Sequence, residues 1–173
     1  ILDSPLLNSN IKVSSGNFIT ARPIGVIDGI DMEFTGQIRK IDTNAIIDKL
    51  INKEIVTISP LGYSPMGDIF NLSYEQTAAH VAQAVKAEKL IYYINTNGIL
   101  NIRGELIPEL TTSKAKQLID NIEDPGRAPF ISYHVLNIMK SSLYAIKNKI
   151  EKVHLINRNV DGSIIEEIFT DRG

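Results

Sequence analysis

Between Pro60 and Asn71 the chain reads PLGYSPMGDIFN, its densest run of residues suited to meeting a ligand. The breakers Pro60, Gly62, Pro65 and Gly67 make it a loop. A short β-branched run, Ile55–Ile58, precedes it and reads as a buried strand. Ligands of open α/β sheets bind at the carboxyl ends of such strands, which is where this loop is expected. Asn71 equally suits a loop residue bonding its own backbone, and Asp68 suits a solvated turn. His80 and His134 show no ligand spacing with a carboxylate, and the chain has no cysteine, so no metal site and no disulfide are expected.

The elements that would hold this loop follow from spacing. Ser73 with Gln76 forms a capping-box pattern. Ala78, Val81, Ala82 and Val85 then give a helix one apolar face, ending near Lys89. Leu90–Ile94 reads as the next buried strand, followed by a hairpin turn at Asn97-Gly98. Strand, loop, helix, strand predicts a βαβ unit with parallel strands and a right-handed crossover. Upstream, Ile11 to Ile41 reads as antiparallel β structure, with Pro23 at an edge or bulge and a turn at Asp28-Gly29. Asp42 or Thr43 caps a helix with Ile46, Ile47, Leu50 and Ile51 inward.

Downstream, Asn101–Leu110 reads as a hairpin arm turning at Arg103-Gly104. Thr112 or Ser113 caps a short helix with Ala115, Leu118, Ile119 and Ile122 inward, and Glu123–Gly126 is a loop. Ser132 opens the longest helix, through about Lys147, with Val135, Ile138, Met139, Ser142 and Ile146 on one stripe. Val153–Ile156 is the last strand, and Ile164–Phe169 a short helix after the Asp161-Gly162 turn.

The composition fits one soluble domain of 173 residues, 43% hydrophobic and 22% charged. A net charge of -2 implies no general attraction to nucleic acid or an anionic membrane. No apolar run approaches the ~20 residues of a membrane span, and the absence of cysteine is compatible with the cytoplasm, the expected location. The chain opens at Ile1 on a loop-like LDSPLLNSN, so it is expected to be a piece of a longer protein.

ISPLGYSPMGDIFNLSYEQTAAHVAQAVKAEKLI resembles a segment of the amino acid kinase superfamily, as found in acetylglutamate kinases and N-acetylglutamate synthases. There a P-x-G loop leads to an N-x-N-A-D-like helix start and a helix ending in K-A-E-K-L-I. SSGNFITARPIGVIDGIDMEFTGQIRKID and VHLINRNVDGSIIEEIFTDRG are similar to the synthases more than to the kinases. The resemblance covers nearly the whole chain. It implies a three-layer αβα sandwich of the amino acid kinase type, largely parallel with antiparallel hairpins. The chain would be the C-terminal part of that domain, with an acetyltransferase domain following residue 173.

Departures from the kinase pattern bear on activity. The chain contains no Gly-Gly pair, whose backbone amides could cradle phosphates. The T-D of the kinases is replaced by Asn95-Thr96-Asn97, and Lys140 is out of register with their lysine on the long helix. Phosphoryl transfer is largely positioning plus positive charge, so losing these parts argues against it. On the substrate side, Asn71 matches the first Asn of the family motif, while Ser73 and Glu75 replace its second Asn and Asp. Gly62, Gly67 and Asn71 are thus what would remain of a substrate-like pocket.

The resemblance also implies an arginine site at Lys89, His154 and Glu167, with backbone carbonyls around Thr170 and Gly173. A guanidinium pairs with a planar carboxylate, which Glu167 could supply. The ligand's carboxylate needs a cation or donor, which Lys89 or His154 could supply. Taken singly, Lys89 reads as a helix C-terminal cation, His154 as a satisfied strand residue and Glu167 as a solvated helix carboxylate.

The expected function is that of a non-phosphorylating regulatory domain of an N-acetylglutamate synthase, binding L-arginine as feedback inhibitor. The parent would transfer acetyl from acetyl-CoA to L-glutamate, opening arginine biosynthesis, and would form a homo-oligomer. No cofactor is expected in this chain, and neither nucleic acid nor membrane as partner. The alternatives are an acetylglutamate kinase fragment using ATP and a purely structural oligomerisation domain.

Overall fold

The computed structural model describes residues 11–101, 103–122 and 132–169. The chain divides into two compact units, Ile1–Val85 and Lys86–Gly173.

The first unit contains β1 (Lys12–Ser15), β2 (Ile19–Pro23), β3 (Val26–Ile27), β4 (Ile30–Asp31), β5 (Gly36–Ile41), α1 (Thr43–Ile51), β6 (Glu54–Thr57), β7 (Leu61–Tyr63), β8 (Ile69–Asn71) and α2 (Tyr74–Val85). Four of its strands form one sheet in the order β5-β2-β7-β8. β2 is antiparallel to β5 and parallel to β7, and β7 is antiparallel to β8. β3 and β4 make a small hairpin whose two central residues, Asp28 and Gly29, have φ of 50° and 80°. Positive φ at both positions is what a tight hairpin turn with right-handed strand twist requires. Phe18, Ile19, Ala21, Ile46, Phe70 and Leu72 form the core. Ile46 alone, 2% exposed, contributes about 1.5–3 kcal/mol by burial.

The second unit contains β9 (Lys89–Ile94), β10 (Ile99–Leu100), β11 (Leu106–Ile107), α3 (Thr112–Ile122), α4 (Tyr133–Lys147), β12 (Lys152–Asn157) and α5 (Ser163–Phe169). β9 and β12 are parallel, in register from Lys89 with Lys152 to Ile94 with Asn157. α3 and α4 bury Ile119, Val135, Leu136 and Met139 with Ile99, and Leu155 of β12 packs against that cluster. α4 opens as its sequence predicts: Ser132 Oγ accepts from the Val135 amide at 3.4 Å, and Ile138 is fully buried.

Several expectations are corrected. The βαβ unit does not form as read, because β6 pairs in parallel with β1, and β9 with β12. Among the described residues β6 and β9 are not hydrogen-bonded to each other. β1 is therefore a parallel strand and not part of an antiparallel front section. The loop from Gly62 to Asn71 is largely the hairpin β7–β8. Helix α2 ends at Val85, since Lys86 takes a φ of 54° that an α-helix cannot continue, so Lys89 opens a strand. The buried stripe of α2 centres on Ala79 and Ala82, whose small side chains permit the closest approach, and Ala78, Val81 and Val85 flank it. In α1 the apolar face is narrower than expected: Leu50 and Ile51 in the last turn are 44% and 72% exposed. Asn97-Gly98 closes no hairpin, because β10 pairs with β11 through the turn where Asn101 Oδ1 accepts from the amides of Arg103 and Glu105. Thr111, rather than Thr112 or Ser113, caps α3. Glu123–Gly126 lies outside the described residues.

Candidate functional site

His154 stands in β12 and Glu167 in α5, and the turn between them returns the helix onto the strand. The turn is closed by the left-handed Gly162, with φ of 74°, and by Ser163 Oγ donating to the Asn157 carbonyl at 3.2 Å. His154 Nδ1 then lies 2.5 Å from Glu167 Oε1, with side chains 12% and 24% exposed. A carboxylate can only accept, so Nδ1 carries the hydrogen of this contact. The other ring nitrogen, Nε2, is buried and has no hydrogen-bond partner among the described residues.

Side chains alternate along a strand, and residues in register on parallel strands share a face. His154 is in register with Ile91, and Lys152 with Lys89. Lys89, Ile91, Lys152 and His154 therefore lie on one face of the β9–β12 pair. The opposite face carries Leu90, Tyr92 and Leu155 and is the one packed against the α3–α4 core. α5 contributes Glu167 to the face with the lysines. Lys89 is exposed and has no ion pair among the described residues. The structure thus joins His154 to Glu167 directly and sets Lys89 on the same face. It does not describe Thr170 or Gly173, which lie outside the described residues.

The residues of the other candidate pocket are spread over one hairpin. Gly62 is buried in β7, where an added Cβ would sit 2.4 Å from Ala21 Cβ. Its missing side chain is filled by the neighbouring strand. Gly67 lies in the turn, with φ of 96°, beside Asp68, whose Oδ2 accepts from Ser64 Oγ at 2.8 Å. Asn71 ends β8 and is exposed, its amide donating to the Phe34 carbonyl at 2.8 Å. An apolar cavity of about 360 Å³ nearby is lined by Val56, Ile58, Pro60, Tyr74, Thr77 and Val81, and by none of these three.

Sequence reasoning missed two features. One is a cavity of about 540 Å³ lined by Lys116 and Asp120 of α3 and by Lys140, Tyr144 and Lys147 of α4. The helical spacing of those residues was visible, but not which face of each helix would meet. The other is the pair Ser14–Glu54 on β1 and β6, where Ser14 Oγ donates to the carboxylate. That hydrogen bond, together with Lys49 and Lys12, holds the Glu54 carboxyl below the usual range. Among the described residues no group of three or more metal-ligating side chains could hold an ion, and no helix is long and apolar enough to cross a membrane.

With this geometry in hand, comparison with known proteins is informative. Residues 4–157 match the model of the Amino acid kinase family. An amino-acid acetyltransferase of Ralstonia nicotianae is 39% identical over 171 residues, covering 99% of this chain but 36% of the relative. N-acetylglutamate synthase from Neisseria gonorrhoeae, solved with coenzyme A and N-acetyl-glutamate, superposes with a TM-score of 0.86 at 39% identity. That match covers 97% of this chain and 38% of the synthase. The same synthase solved with coenzyme A and L-arginine gives a TM-score of 0.84 at 38% identity, covering 94% and 36%. The chain therefore spans little more than a third of the length of the proteins it resembles, and its mixed α/β fold is theirs over that length.

Proposed function

The chain belongs to the amino acid kinase family, and from that premise we propose that it is the regulatory part of an N-acetylglutamate synthase, binding L-arginine on the β12–α5 face. The observation that carries the reading is the His154–Glu167 pair, set on the same strand face as the unpaired Lys89. Glu167 offers the guanidinium a planar carboxylate, and one oxygen remains beyond the contact with His154. Lys89, on its flexible stem, supplies the charge for the ligand's carboxylate. Backbone carbonyls at Thr170 and Gly173 complete the donor count of the guanidinium.

Acetyl transfer from acetyl-CoA to L-glutamate belongs, in this reading, to a further domain of a cytoplasmic, homo-oligomeric parent. The domain itself is the C-terminal part of an amino acid kinase-like fold and transfers no phosphate. No Gly-Gly pair exists to cradle phosphates, and Asn95-Thr96-Asn97 follows β9 where the kinases place an Asp. Gly62, with its side-chain space occupied, supports a scaffold role better than a surviving substrate pocket. The test is a thermal shift of the intact parent with L-arginine, using L-lysine and L-citrulline as controls. A ligand that binds only the folded state stabilises it by about 2.7 kcal/mol at a hundred times its dissociation constant. A shift specific to arginine supports the reading; equal shifts with all three, or none, contradict it.

A further inference from the structure

His154 in this pair is one hydrogen bond short. Its Nδ1 is committed to Glu167 at 2.5 Å, while Nε2 is buried with no partner among the described residues. Buried polar nitrogens are nearly always bonded, and an orphan calls for a group that completes it. The kind of group depends on protonation. A neutral ring that gives its Nδ1 hydrogen to Glu167 presents a bare acceptor at Nε2; a charged ring presents a second donor there.

The surroundings favour the neutral form once a cationic ligand is bound. The charged groups of the neighbouring elements are Lys89 on β9, Lys152 on β12 itself, and Glu166 and Glu167 on α5, with Tyr93 farther along β9 on the same face. Two of these are already cations. A guanidinium arriving at Glu167 adds a third positive charge against a carboxylate that an imidazolium would otherwise neutralise. Like charges so close disfavour one another, and the ring is the group that can discharge.

We propose that His154 acts in arginine recognition as a neutral hydrogen-bond acceptor, its Nδ1–H fixed by Glu167 and its Nε2 taking an N–H from the ligand. This rests on the arginine-site reading above and corrects the sequence-based expectation that His154 donates to the ligand's carboxylate. Lys89 is left as the group for the carboxylate. Arginine binding is then coupled to loss of the His154 proton, so the site releases its inhibitor as the pH falls through the range where histidine side chains gain charge.

Two measurements on the intact parent test this. The first is the arginine dissociation constant of wild type and His154→Gln between roughly pH 5.5 and 8, the interval in which histidines as a class titrate. Wild-type affinity should rise with pH, by up to about tenfold per unit on the acid side, the limit for release of one proton. His154→Gln should give a flat profile. The second, independent of any variant, is the ¹⁵N shift and long-range proton coupling of the His154 ring in the arginine complex at neutral pH. It should show a protonated Nδ1 and a bare Nε2. A protonated Nε2, a wild-type affinity that is flat or falls with pH, or a slope that survives in His154→Gln overturns the proposal and leaves the arginine site standing. Absence of arginine-specific binding by wild type at any pH overturns both.

Discussion

Lys89 and Lys152 stand directly opposite each other across the parallel strands β9 and β12, both exposed. Like charges so paired cost roughly 0.2–1 kcal/mol relative to a neutral pair. Nothing among the described residues compensates Lys89. A chain that keeps such a juxtaposition gains nothing from it in stability, which is consistent with a role in binding. Lys89→Ala should therefore leave the melting temperature unchanged or slightly raised while weakening arginine binding by about tenfold, the loss of one charge-assisted contact. Parallel melting and titration of the variant would show it. A marked drop in stability with unchanged arginine binding would make Lys89 structural.

Ser14 and Glu54 provide a prediction about acid. The hydrogen bond from Ser14 to the Glu54 carboxylate, with Lys49 and Lys12 nearby, lowers the folded-state pKa of that carboxyl. A lowered pKa means that the unfolded chain binds the proton more readily, so the contribution is present above the unfolded value and fades as the pH falls through the folded one. Urea midpoints should thus fall between neutral pH and pH ~3, and Glu54→Gln should fall less steeply. Ser14→Ala should move in the same direction, since it removes the largest cause. Identical pH slopes in all three proteins would show that the pair is not coupled to folding.

How far these sites could be read in advance depended on the range of the contacts that make them. Local chemistry was legible. Ser132 and Asp42 cap their helices as their types predict, and the Asp28-Gly29 and Arg103-Gly104 turns fall where the glycines are. Pairing between distant strands was not. β1 finds β6 some 40 residues on, as the Ser14–Glu54 separation shows, and no pattern within either strand names its partner or direction. Helix α2 ends on Lys86, a non-glycine in the left-handed region, so the usual C-terminal signal was absent. His154 and Glu167, separated by 13 residues, were individually ordinary. The resemblance, not the spacing, singled them out, and only the folded chain puts their atoms together.

Gly62 separates a structural glycine from a functional one. An Ala there would bring Cβ to 2.4 Å from Ala21 Cβ and 3.1 Å from Leu72 Cδ1, in a sheet centre where Ala21 is 1% exposed. Overpacking of this kind costs about 1–3 kcal/mol. Adding Ala21→Gly opens the space the new methyl needs, so the double variant should be more stable than the sum of the two single changes predicts. Gly67→Ala meets no atom within 4 Å but must hold a φ of +96°, so its cost should be insensitive to residue 21. Denaturation midpoints of the four proteins decide this, and strict additivity at 62 and 21 would refute the packing argument.

The central claim is that Glu167 receives the guanidinium of arginine. Glu167→Gln keeps the shape of the side chain and one acceptor oxygen but removes the charge. Leaving one partner of a charge-assisted pair unmatched costs ~1.5–3 kcal/mol, more than tenfold in affinity. Isothermal titration of the intact parent with L-arginine, wild type beside Glu167→Gln at neutral pH, measures this directly. The variant should melt close to wild type and bind arginine at least tenfold more weakly. If both proteins bind arginine with the same dissociation constant, Glu167 is not the guanidinium's partner and the β12–α5 face is not the site.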